Sequence, residues 1–237
     1  ILPFIPGLGY RSGGATRWIN LGFFQPQPSE IVKLFLVIYF AAVLASKRYN
    51  FKDIRGSFVK LLLPLALVFI LIIKQPDMGT AVIITGTAVV LYFLAGAPLL
   101  HFLVLLPIGS LLMAVFVLVA KYRLARWLAF LNPWADPSGK GYQIVQSLIS
   151  FGSGGLTGVG LGASRQKFGF LPAAHTDFIF AIIGEEAGLI GTLSLVIIYL
   201  IFAVLFYRAI IKCQDKFGQL LAAGISVLIV GQAVINM

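Results

Sequence analysis

The stretch His175, Thr176 and Asp177 carries the side chains best suited to catalysis in this sequence. It lies at the boundary between a polar, glycine-rich segment and an apolar run of membrane-spanning length. Three of the eight acidic residues in the chain, Asp177, Glu185 and Glu186, fall in this boundary region. A carboxylate at the edge of hydrocarbon is costly unless it is paired, solvated or functional, so Asp177 is the candidate catalytic residue.

Each of these carboxylates also has a structural interpretation. Asp is a common helix N-cap, so the role of Asp177 is either to begin the following helix or to act in catalysis. The capping-box partner is absent, because position 180 is Phe. Glu185 and Glu186 either pair with basic groups or tune the pKa of Asp177 through like-charge proximity. The sequence leaves both alternatives open.

The composition sets the class of protein that must position these groups. Hydrophobic residues make up 59% of the chain, charged residues 11%, and the mean hydropathy is +0.99. Several apolar runs approach the roughly 20 residues needed to cross a bilayer as a helix. We therefore predict an all-α polytopic membrane protein. With one cysteine and two histidines expected on opposite faces, we assign no metal site and identify no cofactor.

The order of apolar and basic segments predicts one membrane domain over residues 1–237. It is expected to be a fragment, because the chain starts without Met and stops inside an apolar run. We predict an outer loop at 1–28, four transmembrane helices at 29–120, a large extracytoplasmic loop at 121–176, and two helices at 177–237, the last truncated. Ser29 is the expected N-cap of the first helix. Basic residues concentrate in the first connection and again near Lys212, which marks both as cytoplasmic.

Helix length places the glutamates relative to the membrane. Residues 178–207 would form a continuous helix about 45 Å long, whereas the hydrocarbon core is about 30 Å thick. We therefore expect Glu185 and Glu186 near the outer interface, below Asp177. The three carboxylates would then line one outward-facing cavity.

The predicted outer loop is basic in spite of its expected location. Its cations form either a solvated or lipid-contacting surface or a floor for an anionic, phosphate-bearing ligand. Nucleic acid is not expected as a partner of an outward loop on a membrane protein. The six basic residues, set against Asp136, are Lys121, Arg123, Arg126, Lys140, Arg165 and Lys167.

Two further motifs complete the set of candidates. Lys74 and Asp77, in KQPDMGT, either form an interfacial ion pair or contribute to substrate binding. The glycines between 152 and 162 are expected to allow tight turns and close approach of the backbone to a ligand. They include a G-x-G-x-x-A pattern, but no strand–turn–helix unit surrounds it, so we do not expect dinucleotide binding.

These motifs together resemble the SEDS family of membrane glycosyltransferases, which includes the FtsW, RodA and SpoVE proteins. The matching segments are GGATRWINLG, QPSEIVKL, KQPDMGTA, FLNPWADPSGKGYQIVQSL and FGSGGLTGVGLGASRQKFGFLPAAHTDFIFAIIGEEAGLIG. NPWADP and the glycine before the paired glutamates look more like the division members than the elongation members. The resemblance implies a bundle of ten transmembrane helices, of which about six, the fourth to the ninth, would be present here.

The resemblance also implies an activity, polymerisation of lipid II into glycan strands at the outer face of the bacterial cytoplasmic membrane during cell division. The essential aspartate of the family falls on Asp177, which would act as the general base. The alternatives are a lipid II flippase or an elongation-type polymerase. Implied partners are lipid II, a class B penicillin-binding protein, divisome proteins and membrane lipids, and a divalent cation is compatible with the departing diphosphate. The tentative substrate-binding residues are Arg123, Arg126, Lys140, Arg165, Lys167, His175, Thr176, Lys74 and Asp77.

Overall fold

The fold is almost entirely helical. The computed structural model describes residues 9–12, 15–20, 25–53, 57–119, 121–169, 171–172 and 176–237. Over these ranges the chain forms an antiparallel hairpin of β1 (Gly9–Ser12) and β2 (Ala15–Ile19), in which Gly9 pairs with Ile19. The helices in chain order are α1 (Pro28–Ala45), α2 (Val59–Lys74), α3 (Met78–Leu94), α4 (Leu99–Val119), α5 (Lys121–Leu131), α6 (Tyr142–Gly154), α7 (Ile179–Lys212) and α8 (Lys216–Asn236).

Four of the described helices, α1, α4, α7 and α8, are long and apolar enough to cross a membrane. Their apolar side chains are largely exposed, most completely in α4 and α7, as expected for surfaces that face lipid instead of water. The predicted all-α polytopic membrane class is therefore confirmed. The hairpin is an addition to it, in a segment that we predicted as a loop.

The first compact unit comprises Ile1–Pro98 and Phe202–Ile235. Its core lies among α1, α3 and α8, where Val37, Leu91 and Leu220 are buried. Gly224 of α8 allows the close approach, because a Cβ there would meet the side chains of Val37 and Leu91. Lys216, at the start of α8, donates to the carbonyl oxygen of Leu94 at 3.1 Å. Phe51 of the α1–α2 connection packs on Tyr92, near the same end of α3, so the α1–α2 and α7–α8 connections lie at one end of this unit, which we call the basic end.

Two predictions for this unit are wrong. Helix α1 begins one residue earlier than expected, with Gln27 as its N-cap and Pro28 in its first turn, where the missing N–H and fixed φ of proline fit. Ser29 is buried inside that turn and caps nothing. Lys74 and Asp77 form no ion pair. Instead, Asp77 N-caps α3, accepting bonds from the backbone N–H (3.2 Å) and hydroxyl (2.9 Å) of Thr80.

The other end of this unit is held together by polar contacts of the hairpin and of the segment before α1. The Arg17 guanidinium donates to the carbonyl oxygens of Gln75 at 2.9 Å and Pro76 at 2.6 Å. The Gln27 amide donates to the second carboxylate oxygen of Asp77 at 3.0 Å. The turn between α2 and α3 is thus fixed by side chains from the N-terminal segment.

The second compact unit comprises Leu99–Ile201 and Asn236–Met237. Residues 121–176, predicted as a loop, contain α5 and α6 and two 3₁₀ turns, Pro133–Ala135 and Gln166–Phe168. The glycines and charged residues of these segments are typical of a loop, but helical periodicity is present as well. In α6, for example, Ile144, Val145, Leu148 and Ile149 recur at helical spacing.

Candidate active site

A break in α7 organises the candidate site. Gly188 has φ 65° and ψ −159°, a combination that L-residues with a side chain avoid, and it divides α7 into residues 179–187 and 189–212. The break removes the two helical hydrogen bonds that the N–H groups of Leu189 and Ile190 would donate to the carbonyls of Glu185 and Glu186. Four backbone polar groups are left without helical partners. In or near hydrocarbon, each unsatisfied backbone group destabilises the fold by a free energy on the order of several kcal/mol.

The glycine segment, which we define as residues 155–168, supplies all four missing partners. The N–H groups of Leu189 and Ile190 donate to the carbonyls of Gly155 (2.9 Å) and Leu156 (3.2 Å). Conversely, the carbonyls of Glu185 and Glu186 accept the N–H groups of residues 159 (3.0 Å) and 160 (3.1 Å). The segment thus replaces two i→i−4 bonds with four bonds to its own backbone. Its attachment explains why the break is tolerated.

The glycines of this region serve the attachment. A Cβ at Gly158 would meet the carbonyl of Glu186, and one at Gly188 would meet the backbone of Leu156 and Gly158. Gly154, at the end of α6, likewise lies against the carbonyl of Gly184. We predicted that the glycines between 152 and 162 allow approach to a ligand. At Gly154 and Gly158 the group approached is the backbone of α7.

Glu185 binds the far end of the glycine segment. Its side chain is 2% exposed. Its carboxylate accepts the Ser164 hydroxyl at 2.5 Å, the backbone N–H of Arg165 at 3.1 Å and that of Gln166 at 3.3 Å. These donors sit at the start of the 3₁₀ turn Gln166–Phe168, where free N–H groups favour an anion. The carboxylate is therefore satisfied by three donors from its own chain.

Glu186 forms an ion pair with the same segment. Lys167 donates to its carboxylate at 2.7 Å, and the Ser164 N–H approaches the same oxygen at 3.4 Å. The Lys167 ammonium also donates to the carbonyl of Gly162 at 2.6 Å. Of the two sequence interpretations for Glu186, partnership with a basic side chain is present in the structure, with the partner in the loop. Tuning of Asp177 by the glutamates stays a prediction.

Asp177 is in a different situation. Helix α7 begins at Ile179, and the N–H groups of Ala181 and Ile182 donate to the carbonyl of Phe178, which occupies the cap position. Asp177 precedes the cap and is exposed. No hydrogen bond or ion pair joins its carboxylate to any other residue that the structure describes. The cap interpretation is thus without support in the described part of the chain, where this carboxylate is exposed.

A small apolar cluster fixes the position of Asp177. Leu171, Ala181 and Ile182 are buried, and Phe151 and Phe178 pack against them. Phe151 of α6 also lies against Gly184, where a Cβ would collide with its ring. The neighbour of Asp177 in sequence is therefore anchored, while Asp177 itself faces outward. The backbone next to Asp177 is therefore held by packed side chains.

The basic candidate residues, which the sequence does not distinguish, differ in the contacts that they make in the structure. Lys167 is engaged by Glu186, and the Arg123 guanidinium donates to the carbonyl of Phe116 while stacking on its ring at 3.5 Å. Both are held by local contacts. The exposed basic side chains with no ion pair to another described residue of this unit are Lys121, Arg126, Lys140 and Arg165.

The structure describes all but one of the remaining candidates. Thr176 is exposed next to Asp177, whereas His175 lies outside the described residues. Lys74 and Asp77 belong to the first compact unit. Ser164, buried and bonded to Glu185, was missed by sequence reasoning, because a lone serine in a glycine-rich stretch carries no distinguishing pattern. In the part of the chain that the structure describes, no group of three or more His, Cys, Asp or Glu side chains is arranged to hold a metal ion.

Comparison with known proteins gives a consistent result over the whole chain. The family described as cell cycle protein, which groups FtsW, RodA and SpoVE, matches residues 1–237. Stage V sporulation protein E of Bacillus subtilis is 44% identical over 240 residues, covering all of this chain and 65% of that protein. A protein of Geobacter metallireducens named "Probable peptidoglycan glycosyltransferase FtsW" is 40% identical, covering all of this chain and 63% of its own. The chain thus spans less than two thirds of the length of these relatives.

Solved structures show the same fold. A structure described as the structural coordination of polymerization and crosslinking by a peptidoglycan synthase complex matches with a TM-score of 0.77 at 29% identity, covering 99% of this chain and 65% of that chain. The crystal structure of the rod shape determining protein RodA of Thermus thermophilus matches with a TM-score of 0.63 at 24% identity, over 99% of this chain and 60% of that one. At that identity the second match shows the fold alone.

Proposed function

The chain belongs to the FtsW, RodA and SpoVE family of cell cycle proteins, and on that premise we propose that it forms part of a peptidoglycan glycosyltransferase whose general base is Asp177. The reaction is the extension of glycan strands from lipid II. The names of the relatives support the activity, since several are peptidoglycan glycosyltransferases by name. The observation that carries the assignment of the base is the open carboxylate of Asp177.

The assignment follows from comparing the four acidic side chains of the second unit. Asp136 accepts the backbone N–H of Lys140 at 3.0 Å, and Glu185 and Glu186 are bonded to the glycine segment. Each of these three is engaged by its own chain. Asp177 is exposed and makes no such bond among the described residues. It is therefore the carboxylate of this unit best placed to accept a proton from a substrate.

The proposed step moves one proton to Asp177 and one glycosyl group to the acceptor sugar. Asp177 takes the proton of the acceptor sugar 4-hydroxyl, and the resulting oxygen attacks C1 of the donor sugar on the face opposite the lipid diphosphate. The new C–O bond forms as the bond from C1 to the diphosphate oxygen breaks, and undecaprenyl diphosphate leaves with the electron pair. Positive charge near the leaving group stabilises this departure. Arg126, Lys140 and Arg165 are the proposed sources of that charge, with a divalent cation as a further candidate.

The charge distribution supports an orientation in the bacterial cytoplasmic membrane. The basic end of the first unit collects the cations of the α1–α2 and α7–α8 connections, which is the pattern of cytoplasmic loops. We propose that this end faces the cytoplasm and that Asp177 acts at the outer face. A class B penicillin-binding protein and divisome proteins are the proposed partners. The peptidoglycan synthase complex among the solved structures supports a partner of the first kind.

Substitution of the base is the most direct test. In the full-length protein, Asp177→Asn is expected to lower the rate of glycan polymerisation from purified lipid II by about 10²–10⁴-fold, the usual contribution of a general base. The measurement is the polymer formed per unit time in detergent. Asp136→Asn removes the same charge from a carboxylate engaged by its own turn and is expected to keep the wild-type rate.

Two outcomes would contradict this proposal. A folded Asp177→Asn variant that polymerises at the wild-type rate would exclude Asp177 as the base. A wild-type protein that moves labelled lipid II between bilayer leaflets, without making polymer in any preparation, would identify a flippase instead. An elongation-type polymerase would keep the chemistry and change only the partner proteins.

A further inference from the structure

A cavity lies in the first unit, at its basic end. It has a volume of about 370 Å³ and opens between the end of α1 and the start of α2. Two cations, Arg48 and Lys60, and two serine hydroxyls, Ser46 and Ser57, line it. No acidic side chain lines it in the part of the connection that the structure describes. We infer that this cavity binds the headgroup of an anionic phospholipid of the cytoplasmic leaflet.

The polar side chains that line the cavity are donors suited to a phosphodiester. The Ser46 and Ser57 hydroxyl oxygens accept the backbone N–H groups of Arg48 (3.3 Å) and Asn50 (3.1 Å), so each hydroxyl has its own proton to donate. Arg48 and Lys60 are exposed, and among the described residues neither makes an ion pair. Arginine, lysine and hydroxyl donors are the usual partners of phosphate oxygens.

The cavity is held open by fixed side chains. The Tyr39 hydroxyl donates to the carbonyl of Lys60 at 3.0 Å and joins α1 to α2. Tyr49 packs edge-on against Phe51, with ring centroids 5.0 Å apart, and Phe51 packs in turn on Tyr92 of α3. Burial raises the pKa of Tyr49 above its usual range, so the phenol stays neutral. The wall therefore presents no negative charge that would repel a phosphate.

The surroundings favour a lipid over a free anion. One helical turn from Tyr39 on α1 is Phe35, which is 66% exposed, and one turn from Lys60 on α2 is Leu63, which is 64% exposed. Ala42 and Val43 continue this apolar surface into the cavity. An acyl chain would cover such surfaces, whereas inorganic phosphate would not. The cytoplasmic leaflet is rich in anionic lipids that attract clustered cations beside a membrane helix.

This inference rests on the inward orientation proposed above and is independent of the glycosyl transfer. The test is native mass spectrometry of the purified full-length protein titrated with phosphatidylglycerol or with zwitterionic phosphatidylcholine. We expect the Arg48→Gln/Lys60→Gln variant to bind phosphatidylglycerol at least about tenfold more weakly than wild type, from the contribution expected of two cations. Binding of phosphatidylcholine should be weak in both proteins.

A matched control variant distinguishes binding in the cavity from diffuse electrostatic attraction of the lipid. Lys47→Gln/Lys52→Gln removes the same charge from the same connection, but these residues do not line the cavity. It is expected to bind phosphatidylglycerol within about twofold of wild type, since it leaves the lining intact. The charge-conserving variant Arg48→Lys/Lys60→Arg is expected to bind likewise, and an unchanged melting temperature shows that each variant is folded.

Several results would overturn the inference. One is equal weakening by the two Gln pairs, which would indicate diffuse charge. Others are no weakening by Arg48→Gln/Lys60→Gln, or equal binding of the zwitterionic lipid. Displacement of phosphatidylglycerol by inorganic phosphate at millimolar concentration would assign the cavity to a small anion. Because polymerisation is not the readout, failure here leaves the assignment of Asp177 unaffected.

Discussion

Two carboxylate regions, one just before α7 and one within its first turns, differ in how their charges are satisfied. At Glu185 and Glu186, the side chains are bonded to Ser164, to Lys167 and to backbone N–H groups of the glycine segment. At Asp177, two turns earlier, the carboxylate is exposed and unbonded among the described residues. The first region is saturated by its own chain, and the second is the one that we propose accepts a proton from the substrate.

This difference shows how the fold places similar acidic residues in different environments. A buried carboxylate is stable only with donors around it, so Glu185 is bound to the segment that supplies those donors. The same contacts hold that segment against the broken helix and keep the head of α7 in place. An exposed carboxylate needs no such partners and remains free to react. The structural role of the glutamates and the chemical role that we propose for Asp177 thus fall within ten residues of the chain.

Gly188→Ala tests the attachment of the glycine segment and carries the largest expected effect on stability. The substitution adds a Cβ at φ 65° and against the backbone of Leu156 and Gly158. Backbone strain and overpacking together should cost about 2–6 kcal/mol. We expect a lower melting temperature and faster hydrogen exchange at the N–H groups of residues 159 and 160.

The control for this substitution is Gly152→Ala, in helix α6, where a Cβ would meet nothing within 4 Å. It should leave stability unchanged or raise it slightly, since alanine is the better helix former. If Gly188→Ala melts at the wild-type temperature with unchanged exchange, the bonds between the glycine segment and α7 do not support the fold.

Glu185→Gln compares the two carboxylate regions directly. The amide cannot accept from three donors as the carboxylate does, so the free energy of unfolding should fall by about 2 kcal/mol. Asp177→Asn should change it by less than about 0.5 kcal/mol, as for an unbonded surface group. Melting temperatures in the same detergent measure both. Equal destabilisation by the two variants would contradict the division between saturated and open carboxylates.

Lys167→Gln and Arg165→Gln sharpen the comparison among the basic residues, with the smallest expected effects. Lys167→Gln removes a partly exposed ion pair with Glu186 and should lower stability by about 1 kcal/mol or less. Arg165→Gln should leave stability unchanged and raise the KM for lipid II several-fold, because its side chain is exposed and unpaired among the described residues. The reverse pattern would exchange the roles that we assign to the two residues.

Much of the fold could be predicted from the sequence, and the failures have physical causes. The apolar runs of α1, α4, α7 and α8 predicted helices because membrane-length hydrophobicity permits few other structures. Helices α5 and α6 were missed because their mixed composition resembles that of a loop. The Ser29 cap and the ion pair of Lys74 with Asp77 were wrong because several local partners were equally plausible, and packing chose among them.

The sequence by itself determined the class, the family and the candidate residues, since hydropathy, charge bias and motif spacing are written directly in the chain. Only the tertiary structure decided that Glu185 and Glu186 are engaged by the glycine segment, whereas Asp177 makes no bond to another described residue. That outcome depends on the break at Gly188, and on a segment some 30 residues earlier whose backbone replaces the lost helical bonds. The hydrogen-bond partners of Glu185 and Glu186 come from a segment distant in sequence. The local sequence around Asp177, Glu185 and Glu186 therefore does not predict which carboxylate is bonded.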